Sequence, residues 1–206
     1  QLNGRLGETF EVVNAGVGNM NMSQIVAHWK AINQMLPVDT VIVVVTARAA
    51  EKQNPPSKNW LLKQSILAAL VSTVSQRITL GAQGKTSLVQ HYEEIWSADY
   101  DNSNLLTAFS ALAELQAEKK FNVIVLMIPE ANDMKNYQFS FINDIVEKIA
   151  NKHHWKYVDP LTKFKSVESS EWHVSKNDIH LNGKAFSTIV DLLEPKIVEA
   201  SIHENK

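Results

Sequence analysis

The sequence predicts one α/β domain built around a mostly parallel sheet. Apolar strand-like segments alternate with amphipathic helix-like segments along the chain, which is the order that produces parallel sheets. Two of these segments, residues 41–45 and 123–128, are uninterrupted apolar runs that fit strands covered by helices on both faces. The length of 206 residues suits a single domain with a sizeable core, so we expect residues 1–206 to form one domain.

Composition excludes several classes of function. A net charge of -2 gives no electrostatic footprint for nucleic acid or an acidic membrane, so we expect no nucleic-acid partner. The absence of cysteine excludes disulfides, thiolate zinc sites and a cysteine nucleophile, and it is compatible with either cytoplasm or periplasm. No apolar run reaches about 18 residues, so we expect no transmembrane segment.

The first part of the chain predicts a helix, a strand, a loop and a second helix. Residues 2–6 have apolar positions one helical turn apart and precede Gly7, which is typical of a helix end. Residues 10–14 are short and β-branched, and they predict a strand. The small-residue loop 14–21 then leads into an amphipathic helix that Pro37 stops. The apolar face of that helix comprises Ile25, Trp29, Ile32 and Leu36.

The middle of the chain adds a strand, a helix and a polar connection. After the strand over 41–45, residues 46–51 lie at the carboxyl edge of the sheet, where open α/β sheets bind their ligands. An apolar stripe predicts a helix over 58–78. Residues 79–104 are mostly polar and predict an insertion or lid-like connection. Its aromatic side chains could line a substrate pocket, but packing onto the body of the domain is the preferred interpretation; they are Tyr92, Trp96 and Tyr100.

The remaining elements continue the alternation. A helix over 105–120 precedes a strand over 121–128, and a second loop at the carboxyl edge follows Pro129. A helix over 139–150 and a short strand over 155–160 come next, before a polar excursion. A final helix follows the excursion. The expected inward positions of the helix over 105–120 are Leu106, Phe109, Leu112 and Ala113, and those of the final helix are Phe186, Ile189, Val190, Leu193 and Ile197.

The loop before the final helix contains the clearest candidate for chemistry. Asp178 and His180 form an acid/base pair that can reach a single cleft if both lie in the turn leading into the helix. Asn182 is placed to cap a helix that begins around Gly183. The alternative is that Asp178 and Asn182 only shape a turn and that His180 is an ordinary loop histidine.

The other histidines give no metal-ligand spacing, so we expect no metal site. His173 is close enough to Asp178 in sequence to enter the same cleft, although a solvated loop is the preferred interpretation.

The order of these motifs resembles that of the SGNH (GDSL-type) ester hydrolases. Residues 14–21 are similar to a block of a bacterial subgroup that has the form Asn-x-Gly-Val-Gly-Asn-x-Asn. Residues 172–182 are similar to its last block, Trp-Val-Ser-x-x-Asp-x-His-x-Asn, with an extra residue or two. Further similarity occurs over 59–62, 92–96 and 128–130, so the resemblance covers most of the chain.

The resemblance implies a flavodoxin-like three-layer α/β/α sandwich and the hydrolysis or transfer of an acyl ester by a serine. His180 would be the general base and Asp178 would orient its ring. A backbone amide at Gly18 or Asn19 would help to bind the oxyanion, because small residues allow close approach of backbone N–H groups. The implied substrate is an acyl ester of a small molecule, a glycan or a lipid, and no cofactor is implied. The alternative for this loop is a strand-to-helix turn that needs glycine for its dihedral angles.

The chain departs from the family pattern at two places. No Gly-Asp-Ser occurs in the sequence, and the family has that block some tens of residues before Asn14. Because the sequence begins with Gln1 and not with Met, we expect the first strand and its serine to belong to an upstream segment of a longer precursor. The second departure is Arg48, which occupies the position of an oxyanion-binding Asn. Its guanidinium can also stabilise an oxyanion, or it can pair with Glu51, Glu130 or Asp133.

Two other functions compete with hydrolysis. A non-catalytic relative could bind acylated or carbohydrate ligands in the same cleft, which the absence of a serine block and the presence of Arg48 favour. A dinucleotide-binding domain is suggested by Gly16-x-Gly18. However, Asn21 replaces the third glycine and no acidic residue ends the next strand.

Overall fold

The computed structural model describes residues 2–7, 10–52, 88–97 and 103–202. The predicted helix over 58–78 lies outside these residues. The described helices are α1 (Leu2–Leu6), α2 (Met22–Asn33), α3 (Leu88–Trp96), α4 (Ser103–Lys119), α5 (Ser140–Lys152), α6 (Leu161–Phe164) and α7 (Gly183–Ile202). The described strands are β1 (Thr40–Val45), β2 (Asn122–Met127), β3 (Lys156–Val158), β4 (His173–Ser175) and β5 (Asp178–Leu181).

The strands form a parallel sheet and a separate antiparallel hairpin. In the sheet, β2 lies between β1 and β3, and its register pairs Val125 with Val43 and with Tyr157. The hairpin consists of β4 and β5, with His173 opposite Leu181. Parallel strands connected through helices confirm the predicted α/β class with a mostly parallel sheet.

The side chains of β2 divide the core into two clusters. Val123, Val125 and Met127 pack in one cluster with residues of α2, α4 and α5. Ile124 and Leu126 pack in the other cluster, which contains residues of α7. Because successive side chains of a strand point to opposite faces, β2 is buried on both sides, as its apolar run predicted.

The expectation that β1 is likewise covered on both faces is wrong for one residue. Val44, the last residue but one of the strand, is 45% exposed. The carbonyls of Asp39 and Val45 accept hydrogen bonds from the β2 side. Alternate residues of a parallel strand bond to opposite neighbours, so the backbone groups of Ile42 and Val44 face the other edge. No strand among the described residues pairs with that edge.

The strand predicted over residues 10–14 is not formed. The structure gives this segment no regular secondary structure, and Val12 and Val13 are exposed. A β-branched segment becomes a strand only when it joins a ladder of hydrogen bonds with another strand, and none of the described strands pairs with this segment. Phe10, at the start of the segment, still packs against the α7 cluster.

One predicted inward position is wrong in each of two helices. Leu105, at 5% exposure, is buried in α4, whereas Leu106 is 52% exposed. In α7, Ala185 is buried and Phe186 is exposed. The other large apolar side chains assigned inward are buried as predicted, so apolar character alone was misleading only at these two positions; the confirmed ones are Phe109 and Leu112 of α4 and Ile189, Val190, Leu193 and Ile197 of α7. Leu36 follows the end of α2 instead of lying on it.

The polar excursion after α6 contains more structure than its composition predicted. A 3-10 turn over Ser169–Trp172 leads directly into β4. Trp172 is buried there, and its indole N–H donates to the carbonyl of Phe164 at 2.9 Å. In the described part of the chain, no helix has both the length and the apolar character needed to cross a bilayer.

Candidate functional site

Asp178 and His180 form a hydrogen-bonded pair on β5. The prediction placed them in a turn, but they lie two residues apart on a strand, where both side chains point to the same face. His180 Nδ1 is 2.6 Å from Asp178 Oδ1, and the His180 backbone N–H donates to the same oxygen at 3.0 Å. The imidazole is 88% exposed. The pair thus leaves the second ring nitrogen, Nε2, open towards solvent.

The protonation of this pair follows from its hydrogen bonds. The side-chain bond to His180 lowers the pKa of Asp178 most, and the backbone bond lowers it further. Asp178 is therefore a carboxylate at neutral pH and can only accept hydrogen bonds, so the proton of the shared bond lies on His180 Nδ1. In neutral imidazole this tautomer leaves Nε2 unprotonated, which is the form a general base requires.

Asn182 fastens the hairpin to α7. Its Oδ1 accepts from the Ala185 N–H at 3.0 Å, which confirms the predicted helix cap. Its Nδ2 donates to the carbonyls of Glu171 and His173, each at 2.9 Å, and its backbone N–H donates to Trp172 at 2.8 Å. The segment that carries His180 is thus held at its carboxyl end by one residue.

His173 connects the hairpin to the sheet. The prediction preferred a solvated loop, but His173 lies half-buried on β4. Its Nε2 is 2.6 Å from the carbonyl of Ala131, in the loop that follows β2. The hairpin is therefore attached to the carboxyl edge of the parallel sheet, and His173 is close enough to Asp178 to help lower its pKa.

The loop over 14–21 does not use its glycines for unusual dihedral angles. The residue with positive φ is Asn19, at +61°, and neither Gly16 nor Gly18 has a positive φ. Asn tolerates the left-handed region better than most residues. A Cβ added at Gly18 would meet nothing within 4 Å. The interpretation of this loop as a turn that needs glycine dihedrals is therefore wrong at Gly16 and Gly18.

Arg48 lies in the 3-10 helix Ala47–Ala50 after β1 and is held on two sides. Its Nε and Nη2 each donate to Glu51 Oε2 at 3.0 Å. Its Nη1 donates to Asn19 Oδ1 at 3.3 Å. Of the three partners that the sequence suggested, Arg48 binds Glu51. This hydrogen bond is the main cause that raises the pKa of Arg48, so the guanidinium is charged at every relevant pH.

A second asparagine closes this arrangement into a ring. Asn21 caps α2, because its Oδ1 accepts from the Gln24 N–H at 3.0 Å. Its Nδ2 donates to the backbone carbonyl of Glu51 at 2.9 Å. The side chain of Asn19 bonds to Arg48, Arg48 bonds to Glu51, and Glu51 bonds to Asn21. Because Asn21 is only two residues after Asn19, these bonds form a closed ring. It fixes the glycine loop against the end of β1.

The aromatic residues of the polar connection pack into the body, as the preferred interpretation expected. Tyr92 and Trp96 are buried on α3, and the Trp96 indole N–H donates to the Ala47 carbonyl at 2.7 Å. Tyr100 lies outside the described residues. The Tyr92 hydroxyl donates to Glu130 Oε1 at 3.4 Å. Burial is the main cause that raises the pKa of Glu130 and that of Tyr92.

A buried polar group beside Glu130 was missed at the level of sequence. Asn143 is buried on α5 and donates to Asp159 Oδ2 at 2.7 Å. The Tyr137 hydroxyl donates to Asn143 Oδ1 at 3.3 Å and accepts from the Glu130 backbone N–H at 3.2 Å. The available signal was an asparagine at an inward position of an otherwise apolar helix face, since buried amides require partners.

The candidate residues thus form two groups with a loop in common. Hydrogen bonds and ion pairs of Arg48 go to Asn19 and Glu51, and those of His180 go to Asp178. The two groups meet at adjacent residues of the loop after β2. Glu130 accepts a hydrogen bond from Tyr92, and the charges of Arg48 and Glu51 act on that tyrosine. The carbonyl of the next residue, Ala131, is hydrogen-bonded to His173 of the hairpin.

In the part of the chain that the structure describes, no group of three or more His, Cys, Asp or Glu residues could hold a metal ion. Comparisons with protein-family models, curated proteins and solved structures found no match to this chain.

Proposed function

We propose that this chain provides the base and oxyanion-binding parts of a serine ester hydrolase of the SGNH type. The observation that carries the proposal is the 2.6 Å bond between Asp178 Oδ1 and His180 Nδ1, with the rest of the imidazole exposed. This is the arrangement in which a carboxylate fixes the tautomer of a histidine so that Nε2 can accept a proton.

In the proposed reaction, His180 acts as the base for the serine. A serine Oγ attacks the acyl carbon while its proton passes to His180 Nε2, and the carbonyl π electrons move onto oxygen. Asp178 stabilises the resulting imidazolium. Collapse of the tetrahedral intermediate breaks the ester C–O bond, and the Nε2 proton goes to the departing alcohol. Water then repeats the sequence on the acyl-serine, or an acceptor hydroxyl does so in acyl transfer.

The glycine loop and Arg48 are the proposed oxyanion donors. Gly18 leaves space next to its backbone, and Arg48 lies beside Asn19. A guanidinium has five N–H donors. The bonds to Glu51 use the N–H of Nε and one N–H of Nη2, and the bond to Asn19 uses one N–H of Nη1. Two N–H groups remain for a substrate oxygen. Donors that are fixed before the reaction stabilise the developing charge most effectively.

The nucleophilic serine is proposed to come from a polypeptide segment outside the 206 residues of this sequence, because the sequence contains no Gly-Asp-Ser. None of the described strands pairs with the edge of β1 opposite β2, towards which the backbone groups of Ile42 and Val44 face, and this supports the proposal that a further strand pairs there. Such a strand would end beside Arg48, as β1 does. The complete fold would be a flavodoxin-like three-layer α/β/α sandwich, which the two side-chain clusters on opposite faces of β2 support.

The proposed substrate is an acyl ester of a sugar, a lipid or another small molecule, and the chemistry needs no cofactor. The binding alternative keeps the same cleft without turnover. The bidentate bond between Arg48 and Glu51 favours that alternative, because it holds the guanidinium partly neutralised and partly occupied. The alternative predicts that ligands bind while hydrolysis stays at the uncatalysed rate.

The test is hydrolysis of 4-nitrophenyl acetate and butyrate by the protein that contains this chain. His180→Ala should lower kcat/KM by about 10³-fold or more, and Asp178→Asn should also lower it strongly because the tautomer is no longer fixed. His154→Asn is the matched control, since His154 is an exposed histidine with positive φ between α5 and β3. Equal rates in the parent protein and His180→Ala would remove His180 from the mechanism.

A further inference from the structure

Two asparagines make the same pair of contacts in the two halves of the candidate site. Asn182 accepts from a backbone N–H of α7 through Oδ1 and donates through Nδ2 to the carbonyls of Glu171 and His173. Asn21 accepts from a backbone N–H of α2 through Oδ1 and donates through Nδ2 to the carbonyl of Glu51. Each side chain thus caps a helix and also ties that helix to a distant segment.

Both asparagines stand two residues after a candidate site residue. Asn182 follows His180, and Asn21 follows Asn19. The segments tied by Asn182 are 11 and 9 residues away in sequence, and the carbonyl tied by Asn21 is 30 residues away. Each asparagine therefore joins the backbone two residues after a site residue to a distant carbonyl, in addition to capping a helix.

The hairpin has particular need of such a contact. It contains only β4 and β5, of three and four residues, and its pairing has a register irregularity between His173 and Ser175. An isolated two-stranded hairpin is marginally stable in water. The amide of Asn182 donates to the carbonyl of Glu171, two residues before β4, and to that of His173 at its start, so it connects the end of β5 to the start of β4.

We propose that Asn182 and Asn21 are positioning residues, which place the Asp178–His180 pair and the Asn19–Arg48 pair respectively through their Nδ2 donors. The functional meaning of these positions rests on the proposed ester hydrolysis. The geometric role does not require turnover, so it can be tested separately.

The two functions of each side chain can be separated by substitution. Serine is a good helix cap because its hydroxyl accepts from the same backbone N–H. Its hydroxyl can also donate, but the serine side chain is one atom shorter than that of asparagine, so a hydroxyl placed to accept from the capped N–H does not reach the distant carbonyls. Asn182→Ser and Asn21→Ser therefore keep the cap and remove the tie. Asn182→Asp and Asn21→Asp keep both the cap and the side-chain size, and they replace the donor with an acceptor.

The experiment makes two NMR measurements on each of the serine variants, Asn182→Ser and Asn21→Ser, in the protein that contains this chain. The first is the pKa of Asp178 from its carboxyl ¹³C shift, which reports the bond to His180. The second is the Nε–H signal of Arg48, which reports the bond to Glu51. Asn182→Ser should raise the pKa of Asp178 towards its ordinary value and leave the Arg48 signal unchanged. Asn21→Ser should change the Arg48 signal and leave the pKa of Asp178 unchanged.

A low Asp178 pKa in Asn182→Ser, or an unchanged Arg48 signal in Asn21→Ser, would overturn the role proposed for that asparagine. Equal changes of both signals in both variants would indicate a general loss of structure and would also overturn it. Where a serine variant does not fold, the aspartate variant gives the same comparison. Loss of hydrolysis in His180→Ala tests the proposed function alone, so the two proposals can fail independently.

Discussion

Two carboxylates, Asp178 on the hairpin and Glu130 in the loop after β2, respond to their surroundings in opposite ways. Hydrogen bonds from His180 lower the pKa of Asp178, so the folded protein gains stability from this group above its ordinary pKa near 4. That contribution is lost as the pH falls through the lowered value. The reverse holds for Glu130, whose pKa is raised mainly by burial. The charged form of Glu130 is disfavoured in the folded state, so the free energy of unfolding falls as the pH rises through the raised pKa and Glu130 becomes charged.

Glu130→Gln should therefore stabilise the protein at neutral and alkaline pH. Glutamine can accept the Tyr92 hydrogen bond without burying a charge, whereas at pH 4 the native carboxyl is protonated and the substitution should change little. The charged groups that act on Glu130 are Arg48, which favours its charged form, and Glu51, which opposes it.

The measurement is the melting temperature of both proteins at pH 4 and pH 8. We expect the gain from Glu130→Gln to be larger at pH 8. Glu93→Gln, an exposed position on α3 next to Tyr92, is the control and should show no such difference. A gain that is the same at both pH values would contradict the account of Glu130.

Whole elements were predictable where their own sequence determined them. The apolar runs of β1 and β2 and the capped start of α7 are local signals, and all three elements lie where they were expected. The strand over 10–14 was not predictable in this way, because a strand needs a hydrogen-bonded neighbour that its own residues cannot supply. The hairpin of β4 and β5 was missed for the complementary reason, since polar residues hide a pairing that Asn182 and Trp172 stabilise.

The inward face of α4 can be tested with two adjacent leucines. Leu105→Ala removes a buried side chain and should lower the free energy of unfolding by about 2–4 kcal/mol. Leu106→Ala alters an exposed side chain and should cost less than about 1 kcal/mol.

Urea unfolding of the two variants provides the comparison, because helix propensity is the same for both substitutions. The sequence alone assigned Leu106 to the inward face. A larger loss for Leu106→Ala than for Leu105→Ala would contradict the structure and support that assignment.

At the scale of the molecule, the parallel sheet brings distant parts of the sequence to one edge. The glycine loop and Arg48 approach the end of β1, and the hairpin attaches beyond β2. Sequence order predicted that Asp178, His180, Gly18, Asn19 and Arg48 belong to one class of site. The contacts that arrange them could not be read from sequence, because the partners of Asn21, Asn182 and His173 lie between 9 and 42 residues away.

The central claim is that the His180 pair and the glycine loop serve one acyl-binding site. Its most direct test is an NMR titration of the ¹⁵N-labelled protein with butyrate, the product of a short-chain ester and a carboxylate that oxyanion donors should bind. We expect the Asn19 backbone amide and the His180 ring nitrogens to shift together with a single Kd, while the His154 ring is unaffected. Shifts at only one of the two positions, or two clearly different Kd values, would contradict the claim.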